Sequence, residues 1–223
     1  REFAEELQLV FQYLGASEAN MEKGEMRCEA NVSVSKTSER GTKVEVKNIN
    51  SFRAVEKAIE YEVKRQIELL ESGKKVVQET RGWDENKETT FPQRSKESAH
   101  DYRYFPEPDL PTMEFTDEYI ETLRATIPEL PEQKRKRLAE EYQLDANAIE
   151  ILIKDRSLSA FWEKVASELR EWEPDKFIEA TKLASNYLTS DLLGLMKEKE
   201  IPSASDLLVD PENFAELIKM IVR

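Results

Sequence analysis

Alternation of apolar and polar residues with a period of two occurs in this chain before residue 112. From Thr116 onward the pattern is helical almost without a break. That one-sided distribution predicts an α+β fold: an antiparallel-sheet portion followed by an all-α helical domain. Residues 26–35 alternate strictly, with Met26, Cys28, Ala30, Val32 and Val34 on one face. Arg27, Glu29, Asn31, Ser33 and Ser35 occupy the other. Thr37 to Gly41 reads as a turn, and 42–48 alternate again, with Val44 and Val46 opposite Lys43, Glu45 and Lys47. Two such runs around a glycine-containing connector predict an antiparallel hairpin. Residues 2–14 read as a helix. Asn50 or Ser51 is suited to cap a long helix with the stripe Phe52, Val55, Ile59, Val63, Ile67 and Leu70, ended by Gly73. Strands are expected at 75–81 and 91–96, with a polar turn over 84–90. Pro106, Pro108 and Pro111 exclude regular helix or a central strand in their segment. In the second half, Pro128, Pro131, Pro174, Pro202 and Pro211 punctuate five or six short helices. Asp145 is placed to cap one, and Pro174 to open another running to Leu188.

Three scarcities narrow the chemistry. His100 is the single histidine and Cys28 the single cysteine, which excludes a multi-histidine metal site, an internal disulfide and a cysteine-rich zinc site. The six glycines, at 15, 24, 41, 73, 82 and 194, form neither a dinucleotide fingerprint nor a P-loop. Cys28 belongs to the apolar strand face and reads as a core residue. His100 reads as a surface residue, and Trp83, Trp162 and Trp172 as packing residues.

Apolar residues make up 39% of the 223, enough for a modest core, and no apolar run approaches the ~18 needed to cross a bilayer. The amphipathic pattern Phe3, Leu7, Val10, Leu14 is already under way at Arg1, and another is still running at Arg223. A piece of a longer protein, from a reducing intracellular setting, is therefore expected. The net charge of −13 speaks against a nucleic-acid binder, but it is uneven. Residues 1–112 carry 18 basic and 22 acidic side chains, and residues 113–223 carry 15 and 24. The basic run Lys134, Arg135, Lys136 and Arg137 lies in the more acidic half. It reads first as a solvated helix face and second as a phosphate contact.

The hairpin holds the most informative chemistry. Its polar face collects Arg27, Glu29 and Asn31 on one strand and Lys43, Glu45 and Lys47 on the next. Two carboxylates flanked by cations suit Mg²⁺ held between phosphate oxygens. On pattern alone, an exposed strand face with compensating charges outranks that reading. A second concentration is Glu79 to Asp84, followed by the aromatic, proline-stiffened run from Asp101 to Pro111. Its rings and Arg103 suit either a planar ligand or plain packing of the loop.

Four ordered motifs carry a resemblance. They are Asn20-Met-Glu-Lys-Gly-Glu-Met-Arg-Cys-Glu-Ala-Asn-Val-Ser-Val34, Gly41-Thr-Lys-Val-Glu-Val-Lys-Asn-Ile-Asn-Ser-Phe-Arg53, Gln78-Glu-Thr-Arg-Gly-Trp-Asp84 and His100-Asp-Tyr-Arg-Tyr-Phe-Pro-Glu-Pro-Asp-Leu-Pro111. Together they closely resemble the B subunit of the aspartyl/glutamyl-tRNA amidotransferases, and the resemblance extends less specifically through the helical half. It implies three segments: residues 1–112, the C-terminal part of a cradle-shaped catalytic domain; 113–208, a helical domain; and 209–223, the start of a YqeY-like tail.

The resemblance implies a ligase of bacterial cytoplasm or an organellar matrix, working with the amidase (A) and small (C) subunits of the same enzyme. Its substrate is misacylated Glu-tRNA(Gln) or Asp-tRNA(Asn). Its cofactors are ATP and Mg²⁺, and neither membrane nor DNA is involved. The side-chain carboxylate is phosphorylated and the phosphate is then displaced by glutamine-derived ammonia. The other reading is a non-catalytic tRNA-binding or scaffold module. Carried over residue by residue, the family's kinase site falls on Arg27, Glu29, Asn31, Glu45, Lys47 and Asn48. Glu29 and Glu45 are expected as metal ligands or carboxylates just behind them, and Arg27 and Lys47 as phosphate contacts. Position 29 is often Asp in the family, so Glu29 reaches one methylene further. Glu79, Arg81, Tyr102 and Arg103 are expected to line the same cradle, and Lys134 to Arg137 to meet tRNA. The family's Gly-Leu-Glu-Ile-His-x-Gln motif does not occur in these 223 residues. They alone are therefore expected not to form the amide.

Overall fold

Ser51 opens the helix around which the first unit is organised. Its hydroxyl accepts from the backbone N–H of Ala54 at 3.1 Å, a cap worth about 1 kcal/mol. At the far end Gly73 takes φ +74°. The N–H groups of Gly73 and Lys74 reach back to the carbonyls of Leu70 and Leu69, a Schellman closure that only a residue at ease in the left-handed region completes cheaply. The computed structural model describes residues 1–95 and 106–223, and the chain divides into two compact units, 1–128 and 129–223.

The first unit contains α1 (Glu2–Tyr13), β1 (Cys28–Val32), β2 (Val44–Ile49), α2 (Phe52–Glu71), β3 (Glu79–Asp84), β4 (Thr89–Ser95) and α3 (Asp117–Ala125). The four strands form one sheet in the order β1-β2-β3-β4. β1 and β2 are antiparallel, as the hairpin pattern predicts, and so are β3 and β4. β2 and β3 run parallel. The sheet is therefore mixed, because α2 acts as a crossover and returns the chain to enter β3 in the direction of β2. Ala30, Val32, Val46, Ile49 and Trp83 pack on Ala54, Val55 and Ala58 of α2.

The buried stripe of α2 differs from the expected one. It runs through Ala54, Val55, Ala58, Glu62 and Gln66, while Ile59 and Ile67 are exposed. Two alanines let the helix axis come close to the sheet. Glu62 and Gln66 are tolerated inside because their polar atoms are all engaged, as described below. Gly41 owes its place to a close approach: a Cβ there would stand 2.1 Å from the carbonyl oxygen of Val34. No residue of α3 is buried.

The second unit is helical throughout its described elements: α4 (Pro131–Tyr142), α5 (Ala146–Lys154), α6 (Arg156–Trp172), α7 (Phe177–Asn186), α8 (Leu193–Glu198) and α9 (Pro211–Val222). Asp145 caps α5 by accepting from Asn147 and Ala148, both at 3.0 Å. Between α7 and α8 the helix widens to π spacing over Tyr187–Leu192. The core is built on Leu138, Leu152, Ile153, Leu158, Trp162, Leu169, Leu188 and Ile218, all fully buried. Tyr142 stands edge-on to Trp162 with ring centroids 4.7 Å apart. Among the described residues no helix is long and apolar enough to cross a membrane.

Candidate active site

Alternation along β1 and β2 turns Ala30, Val32, Val44 and Val46 inward and leaves the intervening residues on the face away from α2. Asn31 pairs with Glu45 across the two strands. The register then slips: Ala30 faces Val46, but Cys28 faces Ile49. β2 thus carries one extra residue, and Lys47 and Asn48 together stand opposite Glu29. The bulge residue Asn48 has φ +60°. Asparagine is among the few residues that enter the left-handed region readily.

The bulge brings the charges together. Lys47 Nζ lies 3.2 Å from Glu29 Oε1 and 3.8 Å from Glu45 Oε1, so one ammonium bridges two carboxylates. Glu45 is the less exposed of the two carboxylates, with 15% of its side chain accessible against 43% for Glu29. From β3, Thr80 Oγ1 donates to Glu45 Oε2 at 3.0 Å. Beside this group an open groove of about 570 Å³ is lined by Arg27, Glu29, Lys47, Asn48 and the turn Met21–Gly24. Of the residues expected to form the site, Arg27, Glu29, Asn31, Glu45, Lys47 and Asn48 therefore share one sheet face or its rim. Cys28 is half-buried: it packs against the apolar core, also lines the groove, and burial pushes its thiol up.

Glu79 and Arg81 are on the other face. Arg81 pairs with Val46 across the parallel ladder, and its side chain turns toward α2. Its Nε donates to Thr90 Oγ1 at 2.8 Å, its Nη2 to the Thr90 carbonyl at 2.8 Å and its Nη1 to Glu79 Oε1 at 2.7 Å. Behind it Glu62 is fully buried. Its carboxylate accepts from Arg65, Gln66 and Thr90. Burial pushes the Glu62 carboxyl up, but the hydrogen bonds from Arg65 and Gln66 and the Arg65 charge outweigh it and leave the group below the usual carboxylate range. Gln66 also donates to the Val32 carbonyl and accepts from the Val34 N–H, closing the end of β1. The structure thus ties Glu79 and Arg81 into a buried polar network and does not bring them to the groove. Tyr102, Arg103 and His100 lie outside the described residues.

In the second unit, Arg137 grips Glu129 with Nε and Nη2, both at 2.7 Å, and reaches Glu163 at 2.8 Å. Lys134 pairs with Glu163 at 2.9 Å and Arg135 with Glu150 at 2.6 Å. Lys136 projects, with 74% of its side chain exposed and Glu140 3.9 Å away. Three of the four cations in the basic run are thus held in ion pairs between elements of their own unit.

Thr80, Glu62, Gln66 and Thr90 are not legible as functional from pattern alone. The one available signal is the position of Thr80 between Glu79 and Arg81, since a strand must turn it to the face they avoid.

Residues 1–121 match the family model of the GatB/GatE catalytic domain. Over 223 residues the chain is 45% identical to the B subunit of the aspartyl/glutamyl-tRNA(Asn/Gln) amidotransferase of Persephonella marina, covering 99% of this chain and 45% of that protein. It is 46% identical over 221 residues to the corresponding B subunit, numbered 1, of Clostridium acetobutylicum, covering 98% and 44%. It is 42% identical over 225 residues to that of Carboxydothermus hydrogenoformans, covering 99% and 44%. The chain spans about half the length of the curated relatives it matches. The match takes in the whole bulged hairpin and the Lys47 bridge, and the chain belongs to the GatB/GatE catalytic-domain family.

Proposed function

We propose that this chain is part of the B subunit of a tRNA-dependent amidotransferase, and that the exposed face of β1 and β2 belongs to its carboxylate-activating site. The single observation that carries the reading is Lys47 set between Glu29 and Glu45 beside an open groove.

The donor set fits ATP with Mg²⁺. Glu29, Asn31 and Glu45 offer hard oxygen donors, and Arg27 and Lys47 offer charge to phosphate. Among the described residues no group of three or more His, Cys, Asp or Glu forms a metal cage. Mg²⁺ is usually held by one or two carboxylates together with substrate phosphates, which is what Glu29 and Glu45 can provide. When bound, the metal supplies charge neutralisation between the phosphate oxygens. Phosphoryl transfer needs positioning and electrostatic stabilisation rather than a protein nucleophile. That is why a chain with neither P-loop nor a second histidine suits it.

With ATP bound, Arg27 and Lys47 would hold its phosphates by charge, and the side-chain carboxylate of the misacylated tRNA would be the acceptor. That carboxylate oxygen forms the new bond to the γ-phosphorus as the bond to ADP breaks. Ammonia delivered by a partner amidase then attacks the acyl carbon. The C–O bond to phosphate breaks, inorganic phosphate leaves, and the nitrogen loses its extra proton to solvent, leaving the amide.

In the full-length protein assembled with its partners, Glu45→Gln should lower ATP-dependent carboxylate activation by about 10²–10³-fold, the cost of one removed transition-state contact. The affinity for the tRNA should stay within twofold. Activation unchanged by Glu45→Gln overturns the assignment of this face. Loss of tRNA affinity alone supports the binding-module reading instead.

A further inference from the structure

We infer that Thr80 is a positioning residue for the Glu45 carboxylate and acts on the metal–phosphate site through it, an inference that rests on the reading of Glu45 above. Thr80 and Glu45 are register partners in the parallel β2–β3 ladder. The Thr80 hydroxyl donates to Oε2 at 3.0 Å, while Oε1 is the oxygen 3.8 Å from Lys47. One carboxylate oxygen is therefore anchored to the sheet and the other faces Lys47, which also pairs with Glu29. A glutamate without the anchor has three side-chain torsions to search. With it, one carboxylate oxygen is held before any ligand arrives and fewer torsions remain to search, which is how groups behind a metal ligand raise affinity.

The anchor is itself held from behind. Thr80 is 5% exposed and its chain neighbour Arg81 is 8% exposed. Arg81 is fastened to β4 through the hydroxyl and carbonyl of Thr90. Glu62 of α2 accepts from that same Thr90 hydroxyl at 3.1 Å. Side chains of successive strand residues leave opposite faces, so the buried network that holds Arg81 holds the backbone from which Thr80 points. This also gives Glu79 and Arg81 a part in the site without a place in the groove: they fix the strand that orients Glu45.

The test uses the full-length protein in its assembled complex and Mn²⁺ alone as the probe, titrated by electron paramagnetic resonance. Thr80→Val keeps shape and β-propensity but removes the donor, and should weaken Mn²⁺ binding by about tenfold. Thr80→Ser restores the donor and should recover affinity to within about twofold of wild type. A merely structural role would not be rescued in this order, because valine fits the strand at least as well as serine. Glu45→Gln is measured alongside. If Glu45→Gln abolishes Mn²⁺ binding and Thr80→Val leaves it at the wild-type level, the inference is overturned and the reading of Glu45 stands. If Mn²⁺ binding survives Glu45→Gln, the reading falls and the inference with it. Equal weakening in Thr80→Val and Thr80→Ser also overturns the inference.

Discussion

Arg65 holds the Glu62 carboxylate at both oxygens, with Nε 2.9 Å from Oε2 and Nη2 2.5 Å from Oε1. The carboxylate has no accessible surface. Removing Glu62 leaves Arg65 with only the more distant Glu79, at 3.8 Å, and breaking a buried pair in this way costs about 3–5 kcal/mol. Glu62→Ala should therefore destabilise the protein by about that much in urea unfolding followed by circular dichroism at pH 7. A loss below about 1 kcal/mol would show that the network is not sustaining the sheet.

The same carboxylate makes stability depend on pH, with a definite sign. Its folded value lies below the ordinary value near 4.5. Between the two values the unfolded chain binds more protons than the folded one. The contribution is therefore fully present above about pH 4.5 and is lost as pH falls through the lowered folded value. Glu163, lowered by Lys134 and Arg137 against the upward push of burial, adds a slope of the same sign. Glu62→Gln should be less stable than wild type at pH 7 and should lose less stability between pH 5 and about pH 3. Parallel stability curves for the two proteins over that acid range would contradict this.

Two glycines should respond differently to the same added methyl. At Gly41 a Cβ meets the Val34 carbonyl oxygen at 2.1 Å and its carbon at 3.0 Å, both backbone atoms. At Gly82 it meets Phe91 Cζ at 2.5 Å and Gln93 Nε2 at 2.7 Å, the far ends of side chains that can swing away. Gly41→Ala should cost about 1–3 kcal/mol, in the range of overpacking. Gly82→Ala should cost clearly less. The order of the two midpoints in urea decides the matter.

Legibility followed locality. Ser51, Gly73 and Asp145 act within four residues of themselves, and their roles are readable from sequence. The hairpin was readable because β1 and β2 bury Ala30, Val32, Val44 and Val46 in strict alternation. The stripe on α2 was not, because hydrophobicity favours Ile59 and Ile67, whereas the sheet selects Ala54 and Ala58 for close approach and satisfies Glu62 and Gln66 with partners far away in sequence. The face taken by Glu79 and Arg81 depends on the register with which β3 returns beside β2, which no local pattern encodes. The group Glu29, Glu45 and Lys47 was readable as residues, but the slip that joins them was not.

The basic run separates charge that is available from charge already engaged. Arg137 and Lys134 share Glu163, and Arg137 also holds Glu129. Arg137→Met should destabilise the helical unit by about 1–3 kcal/mol, as lost hydrogen bonds to charged groups do. On the function proposed above, its effect on the salt dependence of tRNA binding should be nil. Lys136→Glu should leave stability within about 0.5 kcal/mol, since exposed pairs contribute little. If Lys136 lies on the tRNA path, this variant alone lowers the slope of log K against log salt by about one. A changed slope in Arg137→Met with an unchanged melting curve would reverse the assignment.

The bulge offers the sharpest test of how local backbone shapes the candidate site. Asn48 sits at φ +60°, where a β-branched residue is strained by about 1–2 kcal/mol. Asn48→Gly relieves rather than strains that conformation, and should leave stability within about 0.5 kcal/mol of wild type. Asn48→Val should lose about 1–2 kcal/mol and, by favouring a regular ladder, draw Lys47 out of line with Glu29. Lys47 Nζ is now 3.2 Å from Glu29 Oε1, so the ammonium resonance of Lys47 should respond to Glu29→Gln in wild type and in Asn48→Gly. In Asn48→Val that response should disappear. If it persists in Asn48→Val, the slip in register is not what brings Lys47 and Glu29 together.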